Sequence, residues 1–276
     1  MTAAAWPRST TSAASAARPC RPATSRPRPA PASPPPPCTA PGTRGPRGRG
    51  DFPLTGPGPG RKLGPVLYVS SIQYFLAQIL VAEQWSPPYS LSRNTISDLG
   101  NTACAAYGGR LVCSPLHGVM NASFITLGVT MMAGSVLILR QFGSSRGAAA
   151  GLAAMTISGL GVIIVGAFPE NSVPAWHGTG AGVTFVVGNA GIIILGRSLG
   201  LPAPLRLYSY LSGSLALVAL GCFVSAQYLG LGEGGMERVV AYPQTAWLIV
   251  ISLYWLAARG AGPPPVSSRP GHGPRW

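Results

Sequence analysis

Long apolar stretches alternate with short polar or basic segments over most of the chain. Each stretch is about 17–25 residues long, which is the length that a helix needs to cross a hydrocarbon core of about 30 Å. The pattern predicts an all-α integral membrane protein, a bundle of six transmembrane helices with disordered N- and C-terminal tails. The helices are predicted at Gly64–Ala82, His117–Leu139, Ala148–Ala167, His177–Gly196, Leu207–Leu229 and Tyr242–Ala258.

The composition agrees with a membrane protein. Charged residues make up 9% of the chain and the mean hydropathy is +0.31, whereas soluble domains contain about 25% charged residues. The composition therefore disfavours a soluble domain.

The connections between the predicted helices alternate in charge. Arg61 and Lys62 precede the first helix, and the connections Arg140–Arg146 and Arg197–Arg206 contain arginine but no acid. Basic loops stay on the cytoplasmic side of a membrane. We therefore predict a multi-pass protein of the bacterial plasma membrane with both termini in the cytoplasm. The outward connections then hold all acids after Asp51 and three arginines: Glu83, Asp98, Glu170, Glu233, Glu237, Arg93, Arg110 and Arg238.

Small residues are expected to form the contacts between the helices, because they let backbones approach closely in a membrane. Gly178 and Gly182 also form a GxxxG pair, which leaves a homo-oligomer open. In a chain with 37 glycines, such a pair is expected by chance. The expected packing residues are Gly159, Gly178, Gly182, Gly188 and Gly221.

The two ends of the chain differ from the bundle. Residues 1–62 are rich in Pro, Ala and Arg and have few residues that form a core, so we predict disorder. The basic residues there are either a polybasic arm that binds anionic lipid or the product of a misassigned start site in a GC-rich gene, and we favour the latter. Residues 63–259 are then the transmembrane domain, and residues 260–276 are a second disordered tail.

Two cysteines, Cys104 and Cys113, share the first outward loop. Outside the cytoplasm so close a pair can form a disulfide. The alternative is two unpaired thiols, and both interpretations stay open.

The first outward loop, residues 83–116, is the longest connection and is dense in hydrogen-bonding side chains. Regularly spaced apolar residues favour an ordered loop that lies against the helix ends. Arg93 and Asp98 either pair with each other or act separately. In the second case Arg93 holds an anionic head group and Asp98 acts as a base or ligand.

The predicted second and fourth helices begin with a histidine, His117 and His177. The positive end of the helix dipole disfavours an imidazolium in the first turn, so each ring offers a neutral nitrogen as base or metal ligand. Asn121 lies one turn after His117 on the same face. Asp98 or Glu170 can complete a metal site with the two histidines. No HxxxH or HExxH pattern is present, and histidines that only hydrogen-bond between helices are the commoner case.

Several short motifs follow one another along the predicted bundle. They are Ile96-Ser-Asp-Leu-Gly100, Asn121 with Phe124 and Gly128, Gly159-Leu-Gly161, Gly166-Ala-Phe-Pro169, His177, Gly235-Met-Glu-Arg238, Pro243 and Trp247. Over Leu63–Ala258 this series resembles the bacterial membrane proteins classed as domain of unknown function 998. The resemblance implies the six-helix outline and selects outer-face residues, but it implies no activity. That family is distantly similar to the DRAM and FRAG-like membrane proteins, some of which are tied to lipid remodelling.

Three functional classes stay open. We favour a protein that binds or modifies a lipid or lipid-linked substrate, because polar groups gather at one membrane face and three helix N-termini there suit anions. A non-catalytic envelope assembly protein predicts that the same polar groups are structural. A transporter requires polar residues across the bilayer, yet no carboxylate lies within a predicted helix. The polar candidates for such a path are Gln73, Gln78, Asn121, Asn189 and Gln227.

The candidate site residues all come from the predicted outer face. Membrane lipids are the expected partners, and the sequence leaves any enzymatic activity and any cofactor open. Motifs for nucleotides are missing, and the basic tail lacks the aromatic residues of a nucleic-acid site. The predicted catalytic residues are Asp98, His177 and Glu170, and the predicted ligand-binding residues are Arg93, Asn101, His117, Asn121, Glu237 and Arg238.

Overall fold

The computed structural model describes residues 60–86, 88–142 and 145–258. The predicted C-terminal tail and the N-terminal tail before residue 60 lie outside these ranges. Six helices in the described part are long and apolar enough to cross a membrane, so the predicted bundle is confirmed. They are Lys62–Ala82, His117–Arg140, Arg146–Ala167, Pro174–Ser198, Ala203–Val224 and Gly232–Ala258.

Two of the six helices are interrupted. The first consists of α1 (Gly60–Val69) and α2 (Ile72–Ala82). The fourth consists of α5 (Pro174–Val183), a π-helical turn (Thr184–Gly188) and α6 (Asn189–Ser198). The continuous helices are α3 (His117–Phe142), α4 (Arg146–Ala167), α7 (Ala203–Val224) and α8 (Gly232–Ala258).

The last two helices differ from their predicted bounds. The fifth ends at Val224 instead of Leu229, and positive φ angles at Ala226 (56°) and Leu229 (50°) turn the chain there. The sixth begins at Gly232, ten residues before the predicted start at Tyr242. The sequence of its first turns favours a loop, because it contains glycines and charged residues. In the fold, residues of other elements form ion pairs and hydrogen bonds with those charged side chains. Glu233, Glu237 and Arg238 therefore lie in a helix and not in a connection.

Glycines bring α3, α4 and α5 into backbone contact. A Cβ atom on Gly128 would lie 2.4 Å from the carbonyl oxygen of Gly159, and one on Gly159 would lie 2.8 Å from that of Gly128. Gly161 and Gly180 meet in the same way across α4 and α5, at 2.7 Å in both directions. Close packing was also expected at Gly178, Gly182 and Gly221. That expectation is wrong, because nothing lies within 4 Å of the Cβ position of these glycines.

The loop between α2 and α3 is ordered. It contains a 3-10 helix, Ser97–Gly100, and an antiparallel hairpin of β1 (Ala105–Tyr107) and β2 (Arg110–Val112). The two glycines of the hairpin turn have φ angles of 55° and 77°, as a tight two-residue turn requires. This small sheet is absent from the predicted all-α fold. The structure joins Cys104 and Cys113 in a disulfide directly beyond the last strand pair, Ala105 and Val112.

Candidate functional site

We call the end of the bundle that carries connections 83–116, 168–173 and 225–231 the polar end. The helix directions bring these three connections to one side, because α2, α4 and α7 end there and α3, α5 and α8 begin there. Each acidic residue in the described part lies in one of these connections or in the first two turns of α8. The predicted gathering of acids is thus reproduced by the fold.

Asp98 is fully buried, and its carboxylate accepts hydrogen bonds from Arg110, Thr95 and Asn94. Arg110 donates to both oxygens, at 2.7 Å from Nε to Oδ2 and 3.0 Å from a terminal nitrogen to Oδ1. The Thr95 amide and the Asn94 side chain also donate to Oδ2, at 3.0 and 3.2 Å. The alternative in which Arg93 pairs with Asp98 is wrong, because Arg93 is exposed and the hairpin brings Arg110 to this position.

Arg110 also connects the hairpin to α8. Its second terminal nitrogen lies 2.7 Å from a carboxylate oxygen of Glu233, which is half-buried. One guanidinium therefore joins the 3-10 helix, the hairpin and the first turn of α8. Sequence reasoning did not select Arg110, since its role depends on the hairpin register.

Glu170 is a second buried carboxyl at the polar end. The Asn101 side chain donates to its Oε1 at 3.2 Å, and the Tyr107 hydroxyl donates to its backbone carbonyl at 3.0 Å. Burial, together with the nearby Asp98 carboxylate, raises the pKa of Glu170 to about 9. The raised pKa favours the protonated form of Glu170, and Asn101 acts as its hydrogen-bond partner.

A chain of contacts links Glu237, Ser97 and His177. The Ser97 hydroxyl lies 2.9 Å from Glu237 Oε1 and 3.0 Å from His177 Nε2. The amide of Ile96 also donates to Glu237, and His177 Nδ1 lies 3.0 Å from the carbonyl oxygen of Phe168. Sequence reasoning selected His177 and Glu237 but missed Ser97, although Ser97 lies within the Ile96–Gly100 motif.

Arg238 is buried and holds the first part of the 83–116 loop. One terminal nitrogen donates to the carbonyl oxygens of Leu91, Asn94 and Gly234 at 2.7–3.0 Å. The other lies 2.5 Å from the Tyr89 hydroxyl. Burial raises the pKa of Tyr89, so the phenol keeps its proton. Each of these hydrogen-bond acceptors is thus a neutral oxygen.

A groove of about 550 Å³ lies between the end of α2, the loop and α8. Trp85 and Arg238 line it, and both are more than nine-tenths buried. The Trp85 indole N–H and the Arg238 Nε have no hydrogen-bond partner among residues 60–86, 88–142 and 145–258. The remaining lining residues are mostly aromatic or aliphatic: Phe75, Gln78, Ile79, Ala82, Glu83, Pro88, Tyr89, Leu91, Leu99 and Tyr242.

The other predicted site residues lie apart. His117 Nδ1 lies 2.9 Å from the carbonyl oxygen of Ser114, whereas the ring nitrogens of His177 contact Phe168 and Ser97. The Asn121 side chain donates to the Gly100 carbonyl at 2.9 Å and anchors the 3-10 helix to α3. In the described part of the chain, no group of three or more His, Cys, Asp or Glu side chains is arranged to hold a metal ion.

The fold and its helix lengths define a multi-pass membrane protein. The family model described as "Protein of unknown function (DUF998)" matches residues 69–254. The chain therefore belongs to the DUF998 family, as its motifs predict. No curated protein and no solved structure matches it. The more distant likeness to DRAM and FRAG-like proteins stays a prediction.

Proposed function

We propose that this protein binds an anionic amphiphile, a membrane lipid or lipid-linked molecule, in the groove beside Trp85 and Arg238. The observation that carries the proposal is the pair of buried donors without partners. Buried donors in native proteins are nearly always paired, so two such N–H groups in one groove favour an acceptor supplied by a ligand. The volume also lies in the usual range for small-molecule sites, about 300–1,000 Å³.

The charge of the ligand follows from Arg238. Its direct contacts are carbonyl oxygens and a protonated tyrosine, and a buried cation is stabilised by an anion or by several hydrogen bonds. Hydrogen bonds from a guanidinium to a phosphate or carboxylate are roughly twice as strong as neutral ones. An anionic head group therefore fits this site better than a neutral one.

The apolar part of the ligand is expected at the margin of the groove. Ile79 and Leu91 line it and are 61% and 64% exposed. Ile79 belongs to α2, within the first transmembrane helix. An acyl chain can therefore leave the groove along α2 toward the hydrocarbon region while its head group stays beside Arg238.

We propose that the polar end faces outward from the plasma membrane and that both termini are cytoplasmic. The opposite end carries Arg140, Arg146, Arg197 and Arg206, as the positive-inside rule requires for the cytoplasmic side. The Cys104–Cys113 disulfide supports this orientation, because disulfides persist in oxidising compartments.

The same proposal can be extended to a protein that also modifies the bound amphiphile chemically. Asp98 is a poor choice of base, because Arg110, Thr95 and Asn94 occupy its oxygens. Both ring nitrogens of His177 also have partners, Phe168 and Ser97, and neither His177 nor Glu170 lines the groove. Binding is therefore the form of the proposal that these contacts favour. We assign Asp98 to holding the loop that forms one wall of the groove.

Lipid-dependent melting of delipidated full-length protein tests the binding proposal. A short-chain phosphatidylglycerol is expected to raise Tm more than phosphatidylcholine does, because only the former is anionic. Trp85→Phe should reduce the shift by removing one N–H donor and little volume. Trp176→Phe is the matched control, since Trp176 is 54% exposed and stacks on Phe168 outside the groove.

A second variant should act in the opposite direction. Glu83 lines the groove and is exposed, so its carboxylate repels an anionic head group. Glu83→Gln should increase the phosphatidylglycerol shift without changing the melting of lipid-free protein. The proposal fails if neither lipid raises Tm, or if Trp85→Phe and Trp176→Phe respond alike.

A further inference from the structure

The contacts of Ser97 restrict how protons are distributed around it. Its hydroxyl lies between Glu237 Oε1 and His177 Nε2, at 2.9 and 3.0 Å. His177 Nδ1 lies 3.0 Å from the Phe168 carbonyl oxygen, and a carbonyl only accepts. Nδ1 therefore carries a proton. Ser97 has one proton to donate, so one of its two neighbours must donate to it.

Two arrangements satisfy every contact. With a neutral imidazole, Ser97 donates to Nε2, and a protonated Glu237 donates to Ser97. With an ionised Glu237, Ser97 donates to the carboxylate, and an imidazolium Nε2–H donates to Ser97. The three side chains carry three exchangeable protons in both arrangements, one more than an ionised glutamate, a hydroxyl and a neutral imidazole carry together.

We propose that Glu237, Ser97 and His177 form a buried proton-binding site that holds this additional proton and passes it between Glu237 and His177 through the Ser97 hydroxyl. In the transfer, the Glu237 O–H bond breaks as its proton binds Ser97 Oγ. The original Ser97 proton moves to His177 Nε2. Burial favours the neutral arrangement, because Glu237 and His177 are only 4% and 7% exposed.

A small internal cavity connects this site to the middle of the bundle. Its volume is about 40 Å³, and Ser97 and Glu237 line it together with the polar residues Thr184, Gln244 and Thr245. A buried water needs about 10–15 Å³ of accessible space and two to four polar partners. The cavity meets both conditions, so a water there can exchange a proton with Glu237.

The neighbouring charges act on Glu237 in opposite directions. Asp98 and Glu170 are the acidic neighbours of Glu237, and Arg238 is its basic neighbour. Arg110 pairs with Asp98 and weakens the effect of that carboxylate. The titratable groups that face the site from the loop, α2 and α8 are Asp98, Tyr89, Tyr74, Arg238 and Tyr242, and Glu170 faces it from the connection after α4.

Infrared spectroscopy of the full-length protein in lipid nanodiscs tests the proposal. The raised pKa of Glu170 favours a protonated carboxyl there as well, so the test starts from Glu170→Gln. That protein should keep one protonated carboxyl band at neutral pH, and adding Glu237→Gln should remove it. Ser97→Ala should shift its frequency, because the hydroxyl that accepts from Glu237 is lost. Adding Ser225→Ala instead, the same change at an exposed hydroxyl, should leave the band unchanged.

Nitrogen NMR of His177 distinguishes the two arrangements. A carboxyl band together with a neutral His177 ring supports the arrangement with a protonated Glu237. A missing band together with a doubly protonated His177 ring supports the arrangement with an ionised Glu237. An ionised Glu237 with a neutral His177 overturns the proposal. Glu237→Gln is expected to fold, since its amide can donate to Ser97 and accept from Ile96. If it does not fold, an unshifted band in Ser97→Ala overturns the proposal instead.

Discussion

Arg110 binds both carboxylate oxygens of Asp98, although the two residues lie 12 positions apart and on different elements. Asp98 is the second residue of the 3-10 helix Ser97–Gly100, and Arg110 is the first residue of β2 in the hairpin. Because Asp98 is fully buried and Arg110 also contacts Glu233 on α8, this pair ties three elements together at the polar end.

Asp98→Asn should destabilise the protein by about 3 kcal/mol, because the ionised partner of the partly buried Arg110 guanidinium is lost from a fully buried position. Arg93→Gln is the control at an exposed residue and should change stability by less than about 0.5 kcal/mol. Unfolding of both variants in detergent measures the difference. A stable Asp98→Asn protein without function in cells would contradict this expectation and support a catalytic Asp98.

The pH dependence of stability should carry a signature of Glu170. Its pKa is about 9 in the folded protein and about 4.3 in an unfolded chain. Between these values the folded state keeps a proton that the unfolded state releases, so stability falls as pH rises. Glu170→Gln should remove this part of the decline between pH 5 and 9. Equal slopes in melting scans of the two proteins would show that Glu170 is ionised when folded.

The glycine contact between α3 and α4 should not tolerate a methyl group. Gly128→Ala places a Cβ atom 2.4 Å from a backbone oxygen, and such overpacking costs about 1–3 kcal/mol. Gly178→Ala is the matched control, because nothing lies within 4 Å of its Cβ position. It should be neutral or slightly stabilising, since alanine favours helix. Similar melting temperatures for both variants would contradict the close packing of α3 on α4.

Cys104 and Cys113 should be oxidised in the native membrane. Thiol labelling of intact cells should modify neither residue until a reductant is added. The Cys104→Ser/Cys113→Ser variant controls for labelling at Cys222, the free cysteine in the described part of the chain. Labelling of both residues without reductant would rule out the disulfide.

Reporter fusions test the orientation of the bundle in the membrane without a measurement of the disulfide. Reporters fused within the Arg140–Arg146 or Arg197–Arg206 connection should be active on the cytoplasmic side, because arginines without opposing acids stay there. A reporter fused in the Cys104–Cys113 hairpin should be active outside. The reverse pattern would invert the proposed topology.

Some features of the polar end could be predicted and others could not. Asp98, Glu170, His177 and Glu237 could be selected because a bilayer core expels ionisable groups, so their collection at one boundary marks a polar site. Their partners were not predictable in the same way. Serine is a common residue type, and Ser97 matters only because its hydroxyl contacts His177 and Glu237. These two residues lie 80 and 140 positions further along the chain.

The early start of α8 has a similar cause. Residues 232–241 contain three glycines and three charges, a composition that favours a loop when it is considered alone. In the fold, Glu237 accepts a hydrogen bond from the Ile96 amide and contacts the Ser97 hydroxyl, and Arg238 donates to loop carbonyl oxygens. These contacts offset the cost of burying the charges and let the helix begin earlier.

The number of transmembrane helices and the clustering of acids at one end were determined by the sequence alone. The transfer of an apolar segment into a membrane depends on the residues of that segment, so local composition suffices. Tertiary structure decided which charges pair, that Arg110 binds Asp98, and that Trp85 and Arg238 share a groove. Those contacts join residues from separate elements, and their geometry depends on helix packing and hairpin register, which no single segment encodes.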